Sequence, residues 1–285
     1  MIHLYKKAIV KADEIRSELG LNMFQSVNIF DACIRLGLSV RFVDINMEGM
    51  YIKQDGGTHP TILISNQRPL PRRCFTCAHE LGHHVFNHGF KIDALSNVDS
   101  DRSNDTDEFL VDSFAGALLM PVAGIQAEFI KRNWVIQESS HINFYTVSSV
   151  FGTGYQTLIM NCKVNGLINE AKASALLKFT PRKILKSLFT SCVDNSFFKI
   201  IDGHSQLTVI DLEVSNYLIV PKGIQIEGVN LQKIGESTLG IGYLATKPGI
   251  VQIASIHGNL NSFVRIQNAQ YIGLAEYRHL ENFND

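Results

Sequence analysis

Leu4, Ala8, Ile9, Ala12, Ile15 and Leu19 recur at three- and four-residue intervals, and Gly20 follows them. That spacing predicts an amphipathic helix stopped by a glycine. A second short helix is expected from Ser26 or Val27 to Leu36, closed by Gly37. The period then changes to two. Leu38–Ile45 and Met50–Gln54 alternate like strands, and Thr61–Ser65 is a short apolar run. A helix is predicted from about Pro71 to His88. Gly89–Thr106 is polar and without period; loops of that length are uncommon and often functional. Helical spacing resumes over Asp107–Met120 and stops at Pro121. Further helices are expected around Gly124–Val135, Phe144–Phe151 and Tyr155–Ile168, with a basic helical stretch on either side of Pro181.

Beyond Cys192 the pattern is different. Nine glycines fall between Gly203 and Gly273, separating short alternating runs at Leu207–Leu212, Tyr217–Val220, Leu239–Ala245, Ile250–Ser255, Ser262–Ile266 and Ala269–Leu274. Short strands punctuated at this spacing argue for a small all-β sandwich or barrel. The expected organisation is an α+β domain over residues 1–168, a basic helical linker over 169–190 and a β-rich domain over 191–285. No internal repeat or low-complexity tract interrupts it.

Composition narrows the classes. The chain has 285 residues, 45% hydrophobic and 19% charged, an ordinary globular balance with enough length for about two domains. Lys and Arg total 26 against 27 Asp and Glu. That balance excludes the broad basic footprint of a chain that binds nucleic acid mainly through phosphates. The five cysteines show no framework spacing, and the N-terminus has no apolar targeting core, so a reducing cytoplasm is expected. The best apolar stretch, Phe114–Ile125, is interrupted by Pro121 and falls short of the ~20 residues a membrane span needs. No membrane association is expected.

The strongest chemical signal is His79-Glu80-Leu81-Gly82-His83 on the predicted third helix. Four residues at ~100° each bring the two imidazoles within about 40° of each other on one face. Both can then ligate one Zn²⁺, with Glu80 on the flank to take a proton from water. A catalytic zinc takes a third protein ligand, and Glu108 is the candidate. Asp112 follows it at i+4, so one of the two can ligate while the other accepts a ring N–H from a ligating histidine. Asp105 and Asp107 compete as ligands on chemistry alone. His84 and His88 stand ~140° and ~180° round the wheel from His79, so they are not expected to reach the same metal and read as surface or C-terminal residues near the Gly89 stop. His141, Tyr145 and Tyr155 are candidates to donate to a tetrahedral oxyanion. Cys74-x-x-Cys77 has no second pair and reads as buried helix cysteines. His141–Ile168 has a helix-turn-helix outline around Gly152-Thr-Gly154, but its second helix carries only Lys163 as a fixed positive charge. Residues 163–188 hold six Lys and Arg against the single acid Glu170, which reads as a solvated face.

Arg73-Cys-Phe-Thr-Cys-Ala-His-Glu-Leu-Gly-His83, followed by Glu108-Phe-Leu-Val-Asp-Ser-Phe-Ala-Gly-Ala-Leu-Leu-Met-Pro121, closely resembles the ImmA/IrrE family of zinc metallopeptidases. The resemblance extends over about residues 5–168. It implies His79, His83 and Glu108 as ligands of one Zn²⁺ per chain and Glu80 as catalytic base. Asp112 stands where the family usually has asparagine, and Val111 where it has alanine; aspartate can still accept the ring N–H. The resemblance implies a gluzincin-like domain with a small sheet over the zinc helices. It also implies an endopeptidase acting on a repressor-like regulator, or a toxin or antitoxin partner, on a stress or phage cue. The β-rich domain is expected to sense a ligand or recruit the substrate, and Met50–Gln54 to serve as an edge strand pairing with it. A chain ended near Leu188 is then expected to fold and bind zinc while losing regulated cleavage. Two other classes compete: a non-catalytic, antitoxin-like protein with a structural zinc, and a DNA-binding regulator. The intact Glu80 favours the enzyme, since a structural zinc has no use for a base.

Overall fold

The computed structural model of the chain describes residues 1–53, 59–88, 91–93, 105–189, 197–206, 209–255 and 261–280. It packs as two compact units, Met1–Ile125 with Gln270–Tyr277, and Gln126–Ala269 with Arg278–Asp285.

The first unit opens with α1 (Ile2–Glu18) and α2 (Ile29–Arg35), the latter capped by the Asn28 side chain, which accepts from Asp31 N–H. Strands β1 (Ser39–Val43), β2 (Gly49–Ile52) and β3 (Thr61–Ser65) lead into α3 (Leu70–Val85), with Pro71 in its first turn. After β4 (Lys91–Asp93) comes α4 (Thr106–Leu119), and the unit's N-terminal segment ends at Ile125 within α5 (Val122–Ile130). Val40, Phe42, Ile62 and Ile64 are buried at alternate strand positions, as period two requires. Ala8, Ala12 and Ile15 on α1 are buried too, and the Arg16 guanidinium donates to Leu118 O near the end of α4 at 2.5 Å.

Two findings correct the expected sheet. Its order is β13 (Gly273–Leu274), β1, β3, β2, β4, so β2 is interior, paired with β3 on one side and with β4 on the other. The Met50–Gln54 run is therefore no free edge for a substrate. Residues read as polar loop supply β4, whose three residues are too few to show alternation. The other edge strand, β13 (Gly273–Leu274), pairs antiparallel with β1 through Arg41↔Leu274 and Phe42↔Gly273. Tyr271 sets its ring edge-on to Phe42 at 6.2 Å, Asn66 Nδ2 donates to Gln270 O at 2.8 Å, and Ala275 is fully buried. The sheet is thus not complete by Ile168.

Thr106–Ile130 is a longer apolar run than Phe114–Ile125: its 25 residues have the length and composition of a membrane span. Most of its apolar window is buried, and helical backbone is interrupted at Met120, ahead of Pro121. It has the character of a core helix.

The second unit combines helices and strands. Helix α6 (His141–Phe151) is opened by a Ser140/Asn143 capping box and closed by Gly152 in the left-handed conformation. Helices α7 (Tyr155–Val164), α8 (Glu170–Leu177) and α9 (Pro181–Leu188) follow. The strands form two four-stranded sheets. One has the order β5 (Phe198–Ile200), β7 (Tyr217–Val220), β10 (Gly240–Ala245), β9 (Leu231–Ser237). The other runs β6 (Val209–Glu213), β12 (Asn261–Gln267), β11 (Gly249–Ser255), β8 (Ile224–Glu227). Leu218, Val220 and Ala245 of the first share one core with Leu212, Val251 and Ile266 of the second. Val150 of α6 joins that core. Tyr145 stacks on Phe198 with centroids 4.0 Å apart, and Ser149 Oγ accepts from Ile200 N–H. Phe189 covers Gly242, where a Cβ would come within 2.6 Å of its ring. The α6 helix and the end of α9 thus pack on the strands.

Candidate metal centre

Helix α3 places His79, Glu80 and His83 on its buried side, each no more than 5% exposed. Gly82 lets α4 approach closely: a Cβ there would lie 2.8 Å from Val111 Cβ. Glu108, in the first turn of α4, is thereby brought opposite the histidines. His79 Nε2 and His83 Nε2 face each other at 3.2 Å. Glu108 Oε2 lies 3.3 Å from the first and Oε1 lies 3.6 Å from the second. Among the described residues these three form a group able to hold a metal ion. Asp105 has a different task. As N-cap of α4 its carboxylate accepts from Asp107 N–H at 2.8 Å and Glu108 N–H at 3.4 Å, so it orients the turn that presents Glu108.

Asp112 meets His79 from behind, with Oδ1 2.8 Å from Nδ1. That contact keeps the proton on Nδ1 and leaves the Nε2 lone pair facing Glu108 and His83. Glu80 is 1% exposed, and its Oε1 lies where a Cβ on Gly49 would come within 3.2 Å. The tightest contact of that Cβ would be with Thr76 Cγ2 at 2.6 Å, so glycine at this point of β2 lets α3 pack close against the strand. Neither Gly49 nor Gly82 was singled out as functional in the sequence; a glycine inside a strand or helix pattern is the signal that could have found them.

Three expectations change. His84 is half-buried: its Nδ1 lies 2.7 Å from the Tyr51 hydroxyl, and burial, then the charge of Lys53, lowers its pKa. His88 also turns inward, for α3 ends at Val85 and Asn87 takes a left-handed conformation, φ 55°. His88 N–H then returns to His83 O, a Schellman closure that redirects its ring. The proposed oxyanion donors are engaged elsewhere. The Tyr145 and Tyr155 hydroxyls, both buried, donate to Phe198 O and Leu176 O, each at 2.9 Å. His141 stacks on Phe179 at 3.8 Å. All three belong to the second unit. Cys77 is fully buried with Sγ 3.7 Å from Cys33 Sγ, and burial raises its thiol pKa well above the ordinary range. It is a protonated core thiol and not half of a metal site. Cys192 lies outside the described residues.

The donor set fits zinc. Two imidazole nitrogens and a carboxylate are the ligands of many catalytic zinc sites. The edge of a tetrahedron with arms of ~2.0–2.1 Å is about 3.3–3.4 Å, close to the separations between these atoms. Two imidazole nitrogens and a carboxylate crowded this closely call for a cation or protons between them.

Residues 33–163 match the family model Peptidase_M78, described as the IrrE N-terminal-like domain. Over those residues the chain is similar to that family. The IrrE-like match begins in α2 and ends in α7, and it contains both the His79–His83 motif and Glu108. The family points to a metallopeptidase-like role, in agreement with the resemblance read from the motifs. A search among curated proteins finds no match to the chain.

Proposed function

We propose that the chain is a cytoplasmic zinc endopeptidase of gluzincin-like design that cuts one regulatory protein, with its β-rich region governing which protein is cut or when. The observation that carries this reading is the triangle of His79 Nε2, His83 Nε2 and Glu108 with Glu80 buried beside it. A zinc ion in such a site polarises a carbonyl and acidifies water. Glu80 takes the proton of the attacking water on a carboxylate oxygen while the water oxygen bonds to the scissile carbonyl carbon. As the C–N bond breaks, Glu80 delivers that proton to the leaving nitrogen; the second water proton passes from the new carboxyl group to the amine, and the products are a carboxylate and an ammonium group. His79 stays neutral throughout, its Nδ1–H held by Asp112.

The substrate is proposed to be a repressor-like regulator or a toxin or antitoxin partner, because limited cutting suits a chain that devotes so much of its length to a separate β region. Zinc content and cleavage of such a regulator, measured for wild type and Glu80→Gln, test the proposal. The variant should keep its zinc and its fold and lose cleavage by a factor of at least about 100. Unchanged biological activity in Glu80→Gln would eliminate the peptidase and leave a structural zinc.

A further inference from the structure

His79 has a carboxylate behind it; His83 has a second imidazole. His83 Nδ1 lies 3.2 Å from His88 Nδ1, and His88 Nε2 lies 3.7 Å from Asp107 Oδ1. The His88 ring is held in place. It stacks on Phe86 at 5.7 Å and meets the His83 ring edge-on at 5.4 Å, and Phe86 in turn packs against Phe114. The His88 side chain is only 10% exposed.

The proton arrangement follows from the bonds. For His83 to turn an Nε2 lone pair toward Glu108 and His79, its proton must sit on Nδ1. That N–H then donates to His88 Nδ1, which must be bare, so the His88 proton sits on Nε2 and faces the Asp107 carboxylate. The line Asp107–His88–His83 does for one ligand what Asp112 does for the other. We propose that His88 is a positioning residue that fixes the tautomer and ring plane of His83, with Asp107 as the carboxylate behind it. The inference rests on the zinc reading above. It touches neither substrate nor reacting atoms.

The test is zinc affinity, measured by competition with a chromophoric chelator, for wild type, His88→Leu and His88→Asn, with thermal unfolding of each as a control of the fold. Outer partners of ligating histidines commonly contribute 10–100-fold to metal affinity, so His88→Leu should bind zinc about 10–100-fold more weakly. His88→Asn should recover most of that loss, because its Oδ1 takes the place of Nδ1 as acceptor; a purely space-filling role would not discriminate in this way. Nitrogen NMR of the histidine rings in the zinc-loaded wild type provides a reading independent of any variant. It should show His83 protonated at Nδ1 and His88 at Nε2. A folded His88→Leu protein with wild-type zinc affinity, or a His83 protonated at Nε2, overturns the inference alone. Failure of the wild type to bind zinc would overturn the functional reading and this inference together.

Discussion

Replacing Gly82 by alanine would put a Cβ 2.8 Å from Val111 Cβ, 3.0 Å from Val111 Cγ1 and 3.2 Å from Phe114 Cδ1. Carbon atoms rest at about 3.5–4.0 Å, so α3 and α4 would have to part by roughly 0.7–1.2 Å. Val111 cannot rotate clear, because its Cβ is anchored to the backbone. Overpacking of this kind costs about 1–3 kcal/mol, and the better helix propensity of alanine offsets about 1 kcal/mol of it. The net loss of stability should reach up to about 2 kcal/mol. The metal site is the more sensitive reporter. His79 and His83 flank Gly82, and Glu108 precedes Val111 by one turn. A displacement of that size exceeds the ~0.2 Å tolerance of a coordination shell several-fold. Zinc affinity should fall at least about tenfold, ~1.4 kcal/mol. Urea unfolding of the metal-free protein and chelator competition for zinc measure the two effects. A Gly82→Ala protein that unfolds no earlier and binds zinc as tightly as wild type would refute the close approach of α3 and α4 as the feature that assembles the site.

Two further outcomes follow from the fold. A chain ended after Leu188 lacks β13, with its pairing to β1, and Phe198, on which Tyr145 stacks; it should lose cooperative thermal unfolding, and a sharp transition with retained zinc would show both contacts to be dispensable. Asp211 is buried, which by itself would raise its pKa, yet Arg278 and Arg265 hold it well below the carboxylate range. Its stabilising effect is therefore complete above the unfolded value of ~3.9 and is lost as the pH falls from there toward the depressed folded value. Asp211→Asn should cost roughly 3–5 kcal/mol at neutral pH and flatten the decline in stability below about pH 4, as read from denaturant midpoints across pH. An unchanged acid limb would contradict that assignment.

The His79-x-x-x-His83 spacing was legible because both residues obey helical period inside one helix, and Glu108 and Asp112 because they share one face of the next. His88 was not legible from a helical wheel, since the wheel ends where Asn87 turns left-handed. The strand Gly249–Ser255 announces itself by alternation of buried positions, and Tyr217–Val220 by a short apolar run that is buried throughout. Strand β13 has only two residues, and β4 only three, so neither carries a period. Strand β8 alternates only between half-buried and exposed positions, and β9 buries Leu231 alone, its other positions being half-buried or exposed, which weakens the apolar signal. The roles of Tyr145 and Tyr155 depend on the carbonyls of residues 53 and 21 positions away, which no local pattern can reveal.

X-ray absorption at the zinc edge of the zinc-loaded protein tests the central claim most directly. One zinc per chain is expected, with scattering from two imidazoles at about 2.0–2.1 Å and a carboxylate oxygen at about 2.0–2.2 Å, without sulfur. His83→Ala and Glu108→Ala should each alter that shell, while Asp105→Asn should leave its ligands the same. Sulfur scattering near 2.3 Å, which would bring Cys74 or Cys77 into the shell, or a spectrum unmoved by Glu108→Ala, would contradict the account.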